Sequence, residues 1–210
     1  MKKPQALTGD DVRISKGRLP MERTRVAFQW VFLWRERNIL ASGMAILVPF
    51  VYCTGVSGIR LAYVSLFLAM ILLVSAMDCR YGLIFDRFLL AMGILGLCLG
   101  GIGSGIPLWD AALGAFLGGT LLFLVRQASC GGMGGGDVKY AFVLGLWLGW
   151  KFLLMTLFLA FLAGGIAAVF LLCCRSGQDS IPFAPFLSLG AFSALLYGTR
   201  LLQWYGEAFL

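Results

Sequence analysis

The sequence predicts an all-α protein, a polytopic integral membrane bundle of about seven helices, and three observations favour that class. Of the 210 residues, 60% are hydrophobic and 13% are charged, whereas soluble domains average about 45–50% and about 25%. The apolar runs are continuous and lack the alternation of a barrel strand, and helices and closed barrels are the two structures that satisfy the backbone in lipid. Most runs approach the length of about 20 residues that a membrane helix needs.

Seven apolar segments are candidate membrane spans, and they cover residues 39–57, 61–77, 88–105, 107–125, 138–150, 152–174 and 181–204. The division between the fifth and sixth rests on Trp150-Lys151, so six spans are the alternative. The earlier segment 27–38 is amphipathic and aromatic with flanking cations, which is typical of a helix at the membrane interface. We therefore divide the chain into a basic N-terminal segment, 1–37, and a transmembrane domain, 38–210.

The distribution of Lys and Arg predicts a cytoplasmic amino terminus. Nine of the 17 cations lie in the first 37 residues, with no apolar core at the distance expected of a signal peptide. If seven spans alternate from there, the cytoplasmic side also receives Arg80, Arg87, Arg126, Lys139 and Arg175. The far side receives Arg60, Lys151 and Arg200. Because cytoplasmic loops are enriched in cations, the opposite orientation is rejected.

The residue types exclude several chemistries. The chain contains no histidine, so catalysis by histidine and metal ligation by histidine are ruled out. Its six cysteines lie mostly in or beside apolar runs and form no CxxC pair, so we expect small apolar side chains and neither a disulfide framework nor a zinc site. No metal, cofactor or nucleic-acid partner is expected.

Two aspartates are the candidate catalytic residues. Asp78 follows the apolar run LFLAMILLVSAM, and Asp137 follows GGMGGG; the proposed topology places both on the cytoplasmic side. An ionisable group at a membrane segment is expensive and is treated as functional. Two carboxylates in a low-dielectric setting cannot both ionise cheaply, so one keeps its proton, and the pair can activate a water and protonate a leaving amine. This is the chemistry of an aspartic protease.

Each of these features has a plainer interpretation. The glycine-rich stretch is also typical of a simple connection between helices, and it does not match a Walker phosphate loop, since Asp137 stands where Lys-Ser/Thr is required. Asp78 alone could cap a helix end or pair with Arg80. Lys139 fits an interfacial anchor. Glycine permits close approach and positive φ, so we interpret Gly134 and Gly136 as supporting residues that present the second aspartate.

Three stretches, taken in order, resemble the type 4 prepilin peptidases, the membrane aspartyl proteases of the GxGD class. They read DCRYGLIFD from Asp78 to Asp86, GMGGGDVKYAFVLGLWLGW over 132–150, and IPFAPFLSLGA over 181–191. Two positions depart from the family pattern: Phe85 replaces the usual proline before the second aspartate of the first stretch, and Ala184 replaces the usual glycine of the third.

The resemblance implies an enzyme of the bacterial inner membrane that cleaves the short basic leader from prepilins or pseudopilins at the cytoplasmic face, with membrane lipid as its other partner. It implies Asp78 and Asp137 as the catalytic pair, Lys139 as a residue that steers or holds the carboxylate, and Asp86 in a supporting position. Bifunctional members carry a cytoplasmic domain with two CxxC pairs for methylation. This chain lacks the pairs, so a short, peptidase-only form is expected.

Two alternatives stay open. A different GxGD protease, such as a signal-peptide-peptidase-like enzyme, usually presents its first aspartate after tyrosine, whereas Met77 precedes Asp78. The second alternative is a non-enzymatic membrane component, either a cation- or proton-coupled transporter or an inactive pilus-assembly factor. A transporter favours acids near the bilayer midplane and internal repeats, and the sequence indicates neither.

Overall fold

The computed structural model describes Pro49 and residues 58–103, 105–129, 132–173 and 182–209. The predicted interfacial segment 27–38 and, apart from Pro49, the predicted first span 39–57 lie outside the described residues. The seven-span count, the domain boundary at 37/38 and the cytoplasmic amino terminus therefore stay predictions.

The described residues form five helices and no strand. The helices are α1 Ile59–Tyr81, α2 Asp86–Gly103, α3 Leu108–Ala128, α4 Gly135–Cys173 and α5 Ala184–Phe209. Each corresponds to one predicted span except α4, which contains both the fifth and the sixth. Among the described residues, α1, α3 and the Gly135–Phe170 part of α4 are long and apolar enough to cross a membrane. The all-helical membrane class is thus confirmed at this level.

Helix α4 is broken at Gly149, where φ is 72° and ψ is 173°. This backbone conformation is essentially restricted to glycine. The first N–H after the break, that of Trp150, donates to Asp110 Oδ1 at 3.3 Å, so a carboxylate of α3 caps the second part of α4. The predicted division at Trp150-Lys151 lies one residue beyond the observed break.

The two arms of α4, 135–148 and 150–173, run back along each other. In the first arm, the Tyr140 hydroxyl contacts Ser188 of α5. In the second arm, the Thr156 carbonyl lies against Gly190, two residues further along α5. Since one stretch of α5 contacts residues on both sides of the break, the chain reverses direction between them.

A buried aromatic cluster fixes the first arm of α4 against α1 and α2. Trp147 is 1% exposed, and its ring centroid lies 4.8 Å from that of Tyr63 and 5.3 Å from that of Phe67. Its indole N–H donates to the Met92 carbonyl at 2.9 Å, and its own carbonyl accepts the Tyr63 hydroxyl at 3.0 Å. Every polar group of the cluster named here is paired, so the cluster holds the end of the first arm of α4 that lies next to the break.

Candidate active site

A cavity of about 510 Å³ opens at the end of the bundle where α1 ends and where α2, α4 and α5 begin. Its lining comprises three segments of the chain: Asp78, Cys79, Gly82, Leu83, Ile84, Asp86; Gly132, Gly134, Gly135, Gly136, Asp137; and Pro182, Phe183. Both aspartates predicted as catalytic are in this set. All three stretches that carry the family resemblance contribute to one wall or another of the cavity.

Asp78 lies in the last turn of α1 and is 8% exposed. The helix itself is ended by Gly82, which takes the left-handed conformation and donates its N–H to the Asp78 carbonyl at 2.9 Å. The Asp78 side chain therefore does not cap its own helix. Its Oδ2 accepts the backbone N–H of Ala184, the first residue of α5, at 3.0 Å. A helix start offers unpaired N–H groups and favours negative charge.

Asp137 lies in the first turn of α4 and is also 8% exposed. Its Oδ1 is buried and has no hydrogen-bond partner among the described residues. Its Oδ2 lies against the glycine-rich turn, since a β-carbon at Gly134 would stand 3.0 Å from it. A β-carbon at Gly136 would stand 3.2 Å from the Ile84 side chain. The two glycines predicted as supporting residues therefore lie where a side chain would press on the carboxylate or on the opposite wall.

The structure brings Asp78 and Asp137 together, although 58 residues separate them in the chain. Both line the same cavity, and their negative charges act on each other. Each is at a helix end on the same side of the bundle, and both are nearly buried. Two mutually repelling carboxyl groups in such surroundings favour a state in which only one of the two is ionised.

Lys139 and Asp86 form an ion pair at the edge of the cavity. The Lys139 ammonium lies 2.7 Å from Asp86 Oδ2, and the two side chains are 57% and 67% exposed. Residues two apart on a helix do not face each other, which explains why the Lys139 ammonium reaches across to α2. The resemblance implied that Lys139 holds a catalytic carboxylate; in the structure its contact is with Asp86.

No group of three or more His, Cys, Asp or Glu side chains with metal-site spacing occurs in the part of the chain that the structure describes. The cavity carries carboxylates, backbone N–H groups and apolar side chains. Carboxyl groups placed in this way can in general exchange a proton with a bound water.

Comparison with known families agrees with this geometry. A family model described as the type IV leader peptidase family matches residues 65–169, which is half of the chain and includes both aspartates. The chain belongs to the type IV leader peptidase family. The resemblance deduced from the three stretches is therefore confirmed, and the family match covers the first two of them.

Curated relatives in this family are each named prepilin leader peptidase/N-methyltransferase. That of Aeromonas salmonicida is 38% identical over 117 residues, 52% of this chain and 40% of the relative. That of Burkholderia pseudomallei is 32% identical over 193 residues, 88% of this chain and 60% of the relative. That of Bacillus subtilis is 32% identical over 142 residues, which are 66% of this chain and 57% of the relative. The chain spans 40% to 60% of the length of these relatives. No solved structure matches significantly.

Sequence reasoning missed the role of the start of α5. Pro182 and Phe183 line the cavity, and Ala184 supplies a hydrogen bond to Asp78. The signal was present in the sequence, because Pro182 and Pro185 bracket a helix start, where proline is favoured. The third stretch was recognised as a family motif, but no function was predicted for its backbone N–H groups.

Proposed function

We propose that this protein is a membrane aspartic endopeptidase that removes the leader peptide from type 4 prepilins or pseudopilins. The observation that carries the proposal is the convergence of Asp78 and Asp137, each 8% exposed, on one cavity at the helix ends. Membership of the leader peptidase family and the names of the relatives support the same reaction.

In the proposed mechanism the two carboxyl groups share one proton. The ionised member takes a proton from a water molecule, and the water oxygen attacks the carbonyl of the last leader residue. The protonated member donates a hydrogen bond to that carbonyl as negative charge develops on it. When the tetrahedral intermediate collapses, the C–N bond breaks and the leaving nitrogen takes a proton from the pair. The products are the free leader and a pilin with a new amino terminus, and one water is consumed.

The individual contacts fit these roles. The N–H of Ala184 keeps the Asp78 carboxylate in a fixed orientation, and Asp137 Oδ1, which is buried without a partner among the described residues, is the carboxylate oxygen that still lacks a hydrogen bond. Gly134, Gly135 and Gly136 line the cavity without side chains, so an extended substrate backbone can approach the pair.

The position of the pair fits a substrate held in the bilayer. We infer that the protein crosses the bacterial inner membrane several times, with the cavity at the cytoplasmic face. A prepilin has a hydrophobic helix directly after its leader, so its scissile bond lies at the membrane boundary. Both aspartates are at helix ends, as a boundary site requires, whereas a proton-coupled transporter would place its acids nearer mid-helix.

Co-expression with candidate prepilins, followed by N-terminal sequencing of the product, tests the proposal. The expected product begins at the residue that follows the leader and, for a peptidase-only form, carries an unmodified amine. Prepilins that stay full-length beside well-expressed, membrane-inserted protein would contradict it. A double Asp78→Asn/Asp137→Asn variant serves as the control for cleavage by host proteases.

A further inference from the structure

A buried polar cluster lies beneath the two aspartates, and the proposed chemistry does not use it. The Tyr140 hydroxyl of α4 lies 2.7 Å from Ser188 Oγ of α5. Ser188 Oγ in turn lies 3.0 Å from the Ala184 carbonyl and 3.2 Å from the Ile71 carbonyl of α1. Tyr140 is 0% exposed and Ser188 is 7% exposed. Three helices therefore meet at a single hydroxyl.

The hydrogen-bond directions within this cluster follow from the chemistry of its members. A carbonyl oxygen accepts only, so Ser188 is the donor whenever its one proton is directed at Ala184 or Ile71. In that arrangement the serine oxygen accepts from the Tyr140 phenol, whereas in the reverse arrangement Ser188 donates to Tyr140. Removing one of the two hydroxyls leaves the other buried without its hydrogen-bond partner. This costs more free energy than replacing both partners by apolar groups.

The cluster is linked to both carboxylates along short stretches of helix. Tyr140 follows Asp137 by three residues, one turn along the same face of α4. Ser188 follows Ala184 by four residues, one turn along α5, and the Ala184 N–H is the donor to Asp78. The charges of both aspartates reach the Tyr140 hydroxyl. A rotation or slide of α5 would therefore move the donor of one aspartate relative to the helix that carries the other.

We propose that Tyr140 and Ser188 are positioning residues that hold α1, α4 and α5 in the register at which Asp78 and Asp137 share their proton. This inference rests on the proposed peptidase function. The two hydroxyls do not touch the substrate. They fix the start of α5, so that the Ala184 N–H stays on Asp78 and the distance between the two carboxyl groups stays at its working value. Displacements of about 1 Å at reacting groups lower rates by up to about 10²-fold.

Tyr140→Phe is the first test, with Tyr63→Phe as its matched control. Both changes remove a buried tyrosine hydroxyl that lies within hydrogen-bond distance of another element, at 2.7 Å and 3.0 Å respectively. Tyr63 lies fifteen residues before Asp78 in α1, about 22 Å along the helix. We expect kcat for prepilin cleavage to fall about tenfold in Tyr140→Phe with KM within twofold. Tyr63→Phe should lose comparable thermal stability and keep kcat within twofold.

Ser188→Ala and Ser188→Thr provide the second test. The alanine variant should lower kcat about as much as Tyr140→Phe, because it removes the other hydroxyl of the same hydrogen bond. Threonine keeps a hydroxyl, so it should recover most of the lost rate. The double variant Tyr140→Phe/Ser188→Ala should be no slower than the slower single variant, since both act through one contact. Additive losses, or equal rates for alanine and threonine, would overturn the proposal.

A third measurement does not depend on cleavage. Hydrogen–deuterium exchange of the peptide that contains Ala184, measured in detergent or nanodiscs, should rise about tenfold in Tyr140→Phe and stay unchanged in Tyr63→Phe. Unchanged exchange in both variants, or kcat losses that Tyr63→Phe shares, would overturn the positioning role. A wild-type protein that cleaves no prepilin while the exchange responds as expected would contradict the peptidase function and leave the structural linkage standing.

Discussion

The two ends of the bundle each contain an aspartate that accepts a backbone N–H from the start of another helical segment. Asp78 accepts the Ala184 N–H at 3.0 Å, and Asp110 accepts the Trp150 N–H at 3.3 Å. The two ends differ in the surroundings of the aspartate. Asp78 shares an open cavity of about 510 Å³ with Asp137, whereas the backbone of Gly149 closes against the Asp110 carboxylate.

This difference separates a structural carboxylate from a candidate catalytic one. Both positions satisfy the preference of a helix start for negative charge, so that preference alone identifies no active site. A second carboxyl group, an accessible volume and a glycine turn distinguish the Asp78 end. Substitutions at the two ends should therefore fall into separate classes, one lowering the rate and the other lowering stability.

The largest effect is expected at the pair itself. Asp78→Asn and Asp137→Asn should each lower prepilin cleavage by a factor on the order of 10³ or more, because a carboxamide can neither take nor share the proton. Asp110→Asn keeps an oxygen that can accept the Trp150 N–H and should cleave at a near wild-type rate. Initial rates at equal amounts of membrane-inserted protein measure this. Wild-type processing by Asp78→Asn or Asp137→Asn would remove the pair from the mechanism.

Gly134→Ala comes next. The added β-carbon would stand 3.0 Å from Asp137 Oδ2, so the carboxylate must move, and we expect cleavage to fall roughly 10- to 100-fold. Gly165→Ala is the control, because a β-carbon there meets nothing within 4 Å. It should preserve activity and slightly raise stability, as alanine is the better helix former. Equal rates in the two variants would show that the turn does not constrain Asp137.

Gly149→Ala should affect stability more than rate. Alanine is strained at φ 72° and ψ 173°, and its β-carbon would stand 3.1 Å from Asp110 Oδ2. A loss of about 1–3 kcal/mol in unfolding free energy is expected, with the cleavage rate per folded molecule within a fewfold of wild type. Thermal unfolding in detergent measures the first quantity. A specific loss of rate without loss of stability would place this break in the catalytic machinery.

The smallest effect is expected at the ion pair between Lys139 and Asp86. Both side chains are more than half exposed, and such pairs contribute about 0–1 kcal/mol. Asp86→Asn and Lys139→Met should each change cleavage by less than about fivefold, and the double variant should resemble the singles. A loss as large as that of Asp137→Asn would assign one of them a direct part in the reaction.

The sequence was most informative about features that depend on local pattern. Long apolar runs predicted the helices in their order, and Trp150-Lys151 located the break in α4 to within a residue. The cation distribution predicted that Asp78 and Asp137 emerge on one side, and the cavity contains both. The order of three motifs identified the family before any geometry was considered.

Contacts between distant segments could not be read in this way, because they depend on how each helix is rotated. The bond from Ala184 to Asp78 joins residues 106 positions apart, and that from Tyr140 to Ser188 joins residues 48 apart. The departure at Ala184 from the family's usual glycine leaves this contact intact. Its N–H reaches Asp78, and any residue other than proline supplies one.

The reversal at Gly149 also determines at which end of the bundle the last helix begins. A single unbroken α4 of 39 residues would be about 58 Å long, nearly twice the hydrocarbon thickness of about 30 Å. Its far end would lie away from Asp78, and α5 would start there. Folding back returns the chain to the end of the bundle at which α4 began. One glycine thereby brings the amide of Ala184 to the place where it steadies the first aspartate.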